Sequence, residues 1–313
     1  MAQYNRQAAF DEAQATWNVP CRDGTISRIG AAPLSVEHER TRMGLGSDWK
    51  AKFIWNFQGE LEAACFVRGS EPPKMFQPWA GLGDCAHFMS KCLQAGGLKA
   101  RTDFVPTLES YLRGLTFTKT LAVKASAERC ERIIKTQIGG GPLFKKGDVV
   151  LYYDPTGKKI AGYGPIYHHS ALYVGYTVGA GGALQGTISC HTRSRFLEPW
   201  LIFGATDTDQ YTLIHFGEDD PVDPALAAAL QGMWEVKWRG QTFYYLFEKN
   251  GKVSWGSTPR HAEGTGYWFA AAPSKHVICW TKTGTVEKFT LTSATDQTGE
   301  WNDGDTLTAK KRP

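Results

Sequence analysis

No run of about 18 consecutive apolar residues occurs in the 313-residue chain, so no stretch of the sequence reads as a membrane-spanning helix. Paired cysteines are missing too. The seven cysteines (Cys21, Cys65, Cys85, Cys92, Cys130, Cys190 and Cys279) are odd in number, scattered, and form no Cys-x-x-Cys pair. That excludes a zinc ribbon and argues against a disulfide framework. Charge of one sign is scarce: 35 Lys and Arg against 31 Asp and Glu leave a net +4, with no basic cluster of the kind that tracks nucleic acid. Such a mild excess suits an acidic envelope polymer better. The closing Lys310-Lys-Arg-Pro313 reads as a solvated tail. At the other end, Met1-Ala-Gln-Tyr-Asn-Arg6 leads into Ala8, Phe10, Ala13 and Trp17, a helix pattern and not a secretory signal, so a protein made in the cytoplasm without a Sec signal is expected. Gly139-Gly-Gly-Pro142 lacks a following Gly-Lys-Ser or Gly-Lys-Thr, which excludes a P-loop.

The chain has enough ordinary hydrophobic residues to bury a sizeable core, in one large domain or two. A first helix is expected from about residue 5 to 18, ending before Pro20. A loop-rich stretch follows, with a short polar helix at Val36 to Arg42. Lys52-Phe-Ile-Trp55 and Ala63-Ala-Cys-Phe-Val67 fit strands or helical turns equally, and the prolines through Pro78 lead to a helix near residue 85. Short helices are expected at Pro106 to Arg113 and from about Leu121 to Ile138. Strands follow at Val149–Tyr153, Tyr167–Gly175 and Leu184–Thr192, the last after a Gly179 to Gly182 turn. A helix first and several antiparallel-type strands afterwards indicate an α+β domain. Gly217-Glu-Asp-Asp-Pro-Val-Asp-Pro224 reads as a linker, giving domains 1–220 and 225–313. The second domain alternates with period two around an Asn250-Gly251 hairpin signal. Six to eight short antiparallel strands are expected, as a small barrel or sandwich.

Chemistry concentrates at Asp84-Cys-Ala-His-Phe-Met-Ser-Lys-Cys-Leu93. Cys85, Phe88, Met89, Cys92 and Leu93 fall at i, i+3, i+4, i+7 and i+8, one buried helical stripe, with Asp84 as N-cap and Gly96-Gly97 as stop. A first-turn thiol feels the positive end of the helix dipole. Taken alone, a cysteine on an apolar stripe is core; a nucleophile needs a base and a group to orient it. Strand alternation puts His169 on one face of its strand and His168 with Ser170 on the other, so one of the two histidines faces the cysteine helix. Ser189 and His191 share a face of a later strand, where either could orient that base. His87 is a second imidazole near the thiol, about 200° around the helix from Cys85.

The order Gly-Asp-Cys85 opening a helix, Lys-Lys-Gly-Asp148 before an apolar strand, His169-Ser-Ala-Leu-Tyr-Val-Gly175 and Ser189-Cys-His-Thr192 resembles the papain-like, NlpC-type peptidoglycan cysteine peptidases, and more closely a bacterial amidase-domain group. Tyr4-Asn-Arg-Gln-Ala-Ala9 is similar to that group's first helix. The resemblance spans most of residues 4 to 216, with a long insertion between Trp17 and Asp84. It implies a papain-like catalytic domain with Cys85 as nucleophile, His169 as general base and His191 as the orienting third member. It implies no cofactor or metal, with Asp84, His87, His168 and Ser189 as substrate-binding candidates. Ala86 departs from the hydroxyl residue that usually follows the cysteine. The implied function is hydrolysis of an amide in the peptidoglycan stem peptide by an antibacterial effector acting in a target cell's periplasm, with secretion machinery and an immunity protein as partners. A phage-type endolysin and a non-enzymatic glycan binder using the aromatic C-terminal module, faintly lipocalin-like, are the alternatives. A zinc site from Cys85, His168, His169, Cys190 and His191 is the lesser reading, because close ligand pairs are missing.

Overall fold

The structure, a computed structural model, describes residues 4–19, 21, 25–28, 31–55, 61–76, 84–160, 162–178, 184–191, 195–201, 208–221, 223–302 and 304–313. Pro20, Pro78, the Gly179 to Gly182 turn and Thr192 lie outside those residues. The fold is mixed: six helices among the described residues, several antiparallel sheets and one closed eight-stranded β-barrel. The chain divides into two compact units, Met1–Leu115 with Lys146–Asp207, and Thr116–Lys145 with Thr208–Pro313. This division does not coincide with the expected boundary at 220–225.

In the first unit, helix α1 (Arg6–Thr16) starts at Asn5, whose side chain accepts from the Ala8 N–H at 3.0 Å. Its start is pinned at two points far along the chain. The Tyr4 hydroxyl donates to the Gly147 carbonyl at 2.9 Å, and Arg6 pairs with the fully buried Asp148 at 2.5 Å. Gly147 sits at φ 92°, a conformation that favours glycine, and a Cβ there would meet the Arg6 side chain at 3.0 Å. The Tyr4-Asn-Arg and Lys-Lys-Gly-Asp148 signatures therefore meet in space. Helix α2 (Val36–Arg42) packs over a three-stranded antiparallel sheet, Lys50–Trp55, Leu61–Val67 and Lys74–Phe76, around Trp49, Ala64 and Phe66. Lys50–Trp55 and Leu61–Val67 are thus strands, deciding between the two readings the sequence allowed. Helix α3 (Cys85–Ala95) packs on α1 and on the strand Ile166–Val178, and α4 (Val105–Gly114) follows it. The unit's main strands run in the order Arg195–Pro199, Leu184–Cys190, Ile166–Val178, Val149–Asp154, each antiparallel to the next.

The second unit opens with a correction. The segment expected as one helix from Leu121 to Ile138 is a strand, Thr118–Ala125, followed by a shorter helix α5 (Ala127–Lys135). Thr118–Ala125 pairs antiparallel with Gln210–Phe216, and that ladder outweighs the helix-like spacing of its apolar residues. Gly139 and Gly140, at φ 54° and 84°, form the turn of a minimal hairpin. The expected linker is not one either. Asp220 accepts from His215 at 2.7 Å and from Lys119 at 2.5 Å, with Lys145 at 3.4 Å, so this acidic turn is tied down inside the unit. Helix α6 (Pro224–Leu230) starts at Asp223, whose carboxylate accepts from the Leu226 N–H at 2.9 Å.

The barrel comprises eight strands in sequence order from Gly232–Trp238 to Thr306–Lys311, closed when the last pairs with the first, Val236 opposite Ala309. Closure removes every sheet edge. The α6 residues Leu226 and Leu230 pack into its core beside Trp234, whose indole N–H donates to the Leu230 carbonyl at 2.7 Å. The C-terminal basic run is not a free tail. Lys310 and Lys311 belong to the closing strand, and Lys311 Nζ donates to the Ala229 carbonyl at 2.6 Å.

Candidate active site

The stripe read from the sequence is buried as expected: Cys85, Phe88, Met89, Cys92 and Leu93 are at most 3% exposed. Ala86, His87 and Ser90 are buried too, so α3 is enclosed on more than the one face its periodicity marks. Its end is set by Gly96, against which the Tyr4 ring packs so closely that a Cβ would lie 2.4 Å from the ring.

Asp84 precedes the helix in the position of an N-cap, yet its side chain makes no capping bond. Its two carboxylate oxygens turn instead to two imidazoles. Oδ1 meets His87 Nδ1 at 2.9 Å, and Oδ2 meets His191 Nδ1 in a shorter contact. His191 is clamped further: its Nε2 donates to the Thr16 carbonyl at 2.6 Å, and its ring stacks on Phe88 with centroids 4.2 Å apart. A carbonyl can only accept, so Nε2 is the donor to Thr16, which leaves Nδ1 facing the Asp84 carboxyl. Burial pushes the Asp84 carboxyl up, but His191 first and His87 second outweigh it and hold the carboxyl below its ordinary value.

Cys85 opens the helix with its thiol against the strand Ile166–Val178. Its Sγ lies 3.9 Å from the His168 carbonyl oxygen, to which the thiol donates. Burial raises the thiol to about 11; backbone and side-chain hydrogen bonding from Ser170 and the Ala86 N–H pull the other way, while Asp84 adds to the rise. Enclosure thus outweighs the helix-start donors, and the resting sulfur is a neutral thiol. His169 is buried, its ring edge-on to Tyr152 with centroids 5.1 Å apart. The ladder pairs His169 with Tyr152 and Ser170 with Leu151, so His169 and Ser170 point to opposite faces.

Several expected roles change accordingly. His191 does not orient His169, because both of its ring nitrogens have other partners. Asp84 is a buried hub for two imidazoles rather than a cap or an exposed contact for a substrate amine. Ser189 is fully buried opposite Leu172, out of reach of a substrate on the surface. His168 contributes its carbonyl to the thiol's surroundings. The Asp84–His191 link escaped sequence reading because 107 residues separate the partners; the signal for it was the shared Asp-Cys and Ser-x-His motifs, read there for other roles. Among the described residues no group of three His, Cys, Asp or Glu side chains is placed to hold a metal ion.

Searched against protein-family models, curated proteins and solved structures, the chain finds no match.

Proposed function

We propose that the first unit is a papain-like, NlpC-type cysteine amidase acting on an amide of the peptidoglycan stem peptide. The observation that carries this reading is the first turn of α3. It sets the Cys85 thiol beside the Ala86 N–H and the His168–Ser170 segment, while Asp84 is turned away from capping and bound to His87 and His191. A structural N-cap does not need two buried imidazoles.

In the mechanism, His169 is the base by the resemblance alone. Its ring packs on Tyr152, on the strand face opposite the Ser170 that lies against the thiol. It therefore takes the thiol proton only once it is turned toward the sulfur as the scissile carbonyl enters. The sulfur attacks the carbonyl carbon, and N–H groups of the helix start receive the developing oxyanion, each such donor lowering the barrier by about 3 kcal/mol. His169 returns the proton to the leaving amine, and water then hydrolyses the thioester. Because burial holds the resting thiol neutral, proton transfer belongs to the substrate-bound state. Asp84 and His191 are positioning residues, fixing the helix start against α1 through the Thr16 carbonyl. The biological setting that suits this chemistry is an antibacterial effector carried by a secretion machine into a target periplasm, with an immunity protein guarding the producer.

Mass spectrometry of purified peptidoglycan treated with the wild type and with Cys85→Ala tests this. The wild type is expected to release fragments carrying a new carboxyl and a new amine, and Cys85→Ala to release none. Identical fragments from both remove Cys85 from the mechanism, and no cleavage by either removes the cell wall as substrate.

A further inference from the structure

The barrel of the second unit holds a cavity of about 470 Å³ counting its open mouth, at the end of the strands away from α6. Trp238, Trp255, Trp280 and Trp301 line it with Phe243 and Tyr245. Trp238 and Trp301 stack at 4.8 Å, and Phe243 meets Trp255 edge-on. Within this aromatic wall stands one carboxyl, Glu287, wholly buried. Its Oε1 accepts from the Trp280 indole N–H at 2.6 Å and from the Tyr245 hydroxyl at 3.1 Å; its Oε2 is buried with no hydrogen-bond partner among the described residues.

A purely structural carboxyl at this place would be costly, since two donors are a poor exchange for taking an acid out of water and leaving one oxygen empty. We infer that the cavity binds an organic ammonium ligand, its cationic nitrogen on Glu287 and its alkyl or aryl body among the tryptophans. Three features select this class. Aromatic faces attract cations through their negative quadrupole, most strongly when water is excluded. Among the described residues no Lys, Arg or His lines the cavity, so none of them gives the carboxyl a counter-ion there. A sugar, the other frequent guest of tryptophan-lined sites, needs several hydrogen-bond partners. Here the hydroxyls of Thr283 and Thr285 bond to each other and the Tyr245 hydroxyl bonds to Glu287, so the lining offers a sugar little beyond the Glu287 carboxyl. The outer rim already shows the same preference, with the Arg239 guanidinium 5.1 Å from the Trp238 ring centroid and paired with Asp305 at 2.5 Å. Because the carboxyl is sealed by the rings, the ligand seats by displacing a ring edge.

Burial raises the Glu287 carboxyl to about 8, with Trp280 and then Tyr245 partly opposing; Tyr245 is the other titratable group in the lining. The free protein at pH 7 therefore carries a proton on Glu287, and a bound cation expels it. The test titrates the full chain with benzylammonium chloride and with benzyl alcohol, a neutral probe of the same shape. It is read by tryptophan fluorescence and by calorimetry in buffers of different ionisation heat. Benzylammonium is expected to bind at least about tenfold more tightly and to release close to one proton at pH 7. Glu287→Gln, which keeps an acceptor for Trp280 and Tyr245, is expected to abolish both the preference and the release. Equal affinity for the two probes, binding of N-acetylglucosamine in preference to both, or no binding by the wild type would overturn the assignment. The wild-type comparison decides even if the variant fails to fold.

Discussion

At the scale of single residues, Asp84 carries most of the weight. Placed where a cap belongs, it spends both oxygens on imidazoles, and the helix start is held by groups from three separated parts of the chain: the Asp84 and His191 side chains and the backbone carbonyl of Thr16. Replacing it by alanine leaves His191 with a buried, uncompensated nitrogen. Urea unfolding of Asp84→Ala should therefore show a loss of about 3 to 5 kcal/mol, the usual cost of removing one partner of a buried charged pair. The pH dependence has a definite sign. The folded carboxyl is held below its ordinary 3.8, so its stabilisation is complete above that value and is lost as pH falls through the lowered folded value. Asp84→Ala should accordingly unfold with less acid sensitivity than the wild type. A smaller effect is expected at Gly96→Ala, where the new methyl would press on the Tyr4 ring; overpacking of this kind lowers stability by about 1 to 3 kcal/mol, read as a lower thermal midpoint. Residue identities were legible in the sequence, whereas their partners were not. Cys85, His169 and His191 stand out by type and order, but only the folded chain reveals that both His191 nitrogens are already engaged.

At the scale of elements, legibility followed the strength of the local pattern. The Cys85 helix, α2, α4 and the barrel strands flanking Asn250-Gly251 all have periodicity and end signals that agree. Thr118–Ala125 was unreadable as a strand because Leu121, Ala122 and Ala125 also fit a helix; pairing with Gln210–Phe216 decides the matter. The strand Asp296–Glu300 has the opposite difficulty. Asp-Gln-Thr-Gly-Glu has no apolar residue, and its place in the sheet comes from closing the barrel between its two neighbours. The barrel's interior polar groups give it a characteristic pH profile. Glu287 is raised from 4.5 to about 8 by burial, so it costs stability as pH rises between those values. His276, stacked on Phe289, is lowered from 6.5 to about 3 by burial, so it costs stability as pH falls between them. Each contributes a slope of about 1.4 kcal/mol per pH unit, of opposite sign. The two cancel between pH 4.5 and 6.5, and stability attributable to them falls on either side of that plateau. Unfolding midpoints across this range should show the plateau, and Glu287→Gln should lose the alkaline decline and turn the plateau into a continued rise up to pH 6.5.

At the scale of the whole molecule, the sequence points to an α+β portion followed by a small β module, and the structure contains both a mixed unit and a closed barrel. The boundary differs because contacts, and not chain order, define a unit. Thr116–Lys145 and Thr208–Asp223 belong with the barrel through bonds such as Thr281 Oγ1 to the Thr120 carbonyl at 3.0 Å and Gly139 N–H to the Ala271 carbonyl at 2.9 Å. Proline and acidic residues at 217–224 resemble a linker in composition, yet Lys119 and His215 convert that turn into an internal ionic cluster. Composition reports solvation preference, and a buried basic partner elsewhere in the chain overrides it.

The central claim is that Cys85 is the nucleophile of an acyl transfer. It is tested most directly by mixing the protein with peptidoglycan fragments, quenching with acid and mapping covalent adducts by peptide mass spectrometry. The account predicts an acyl group on the peptide that carries Cys85, released by hydroxylamine as a thioester would be and lost in Cys85→Ala together with cleavage. Cleavage that proceeds in Cys85→Ala with no adduct on the wild-type cysteine would contradict it.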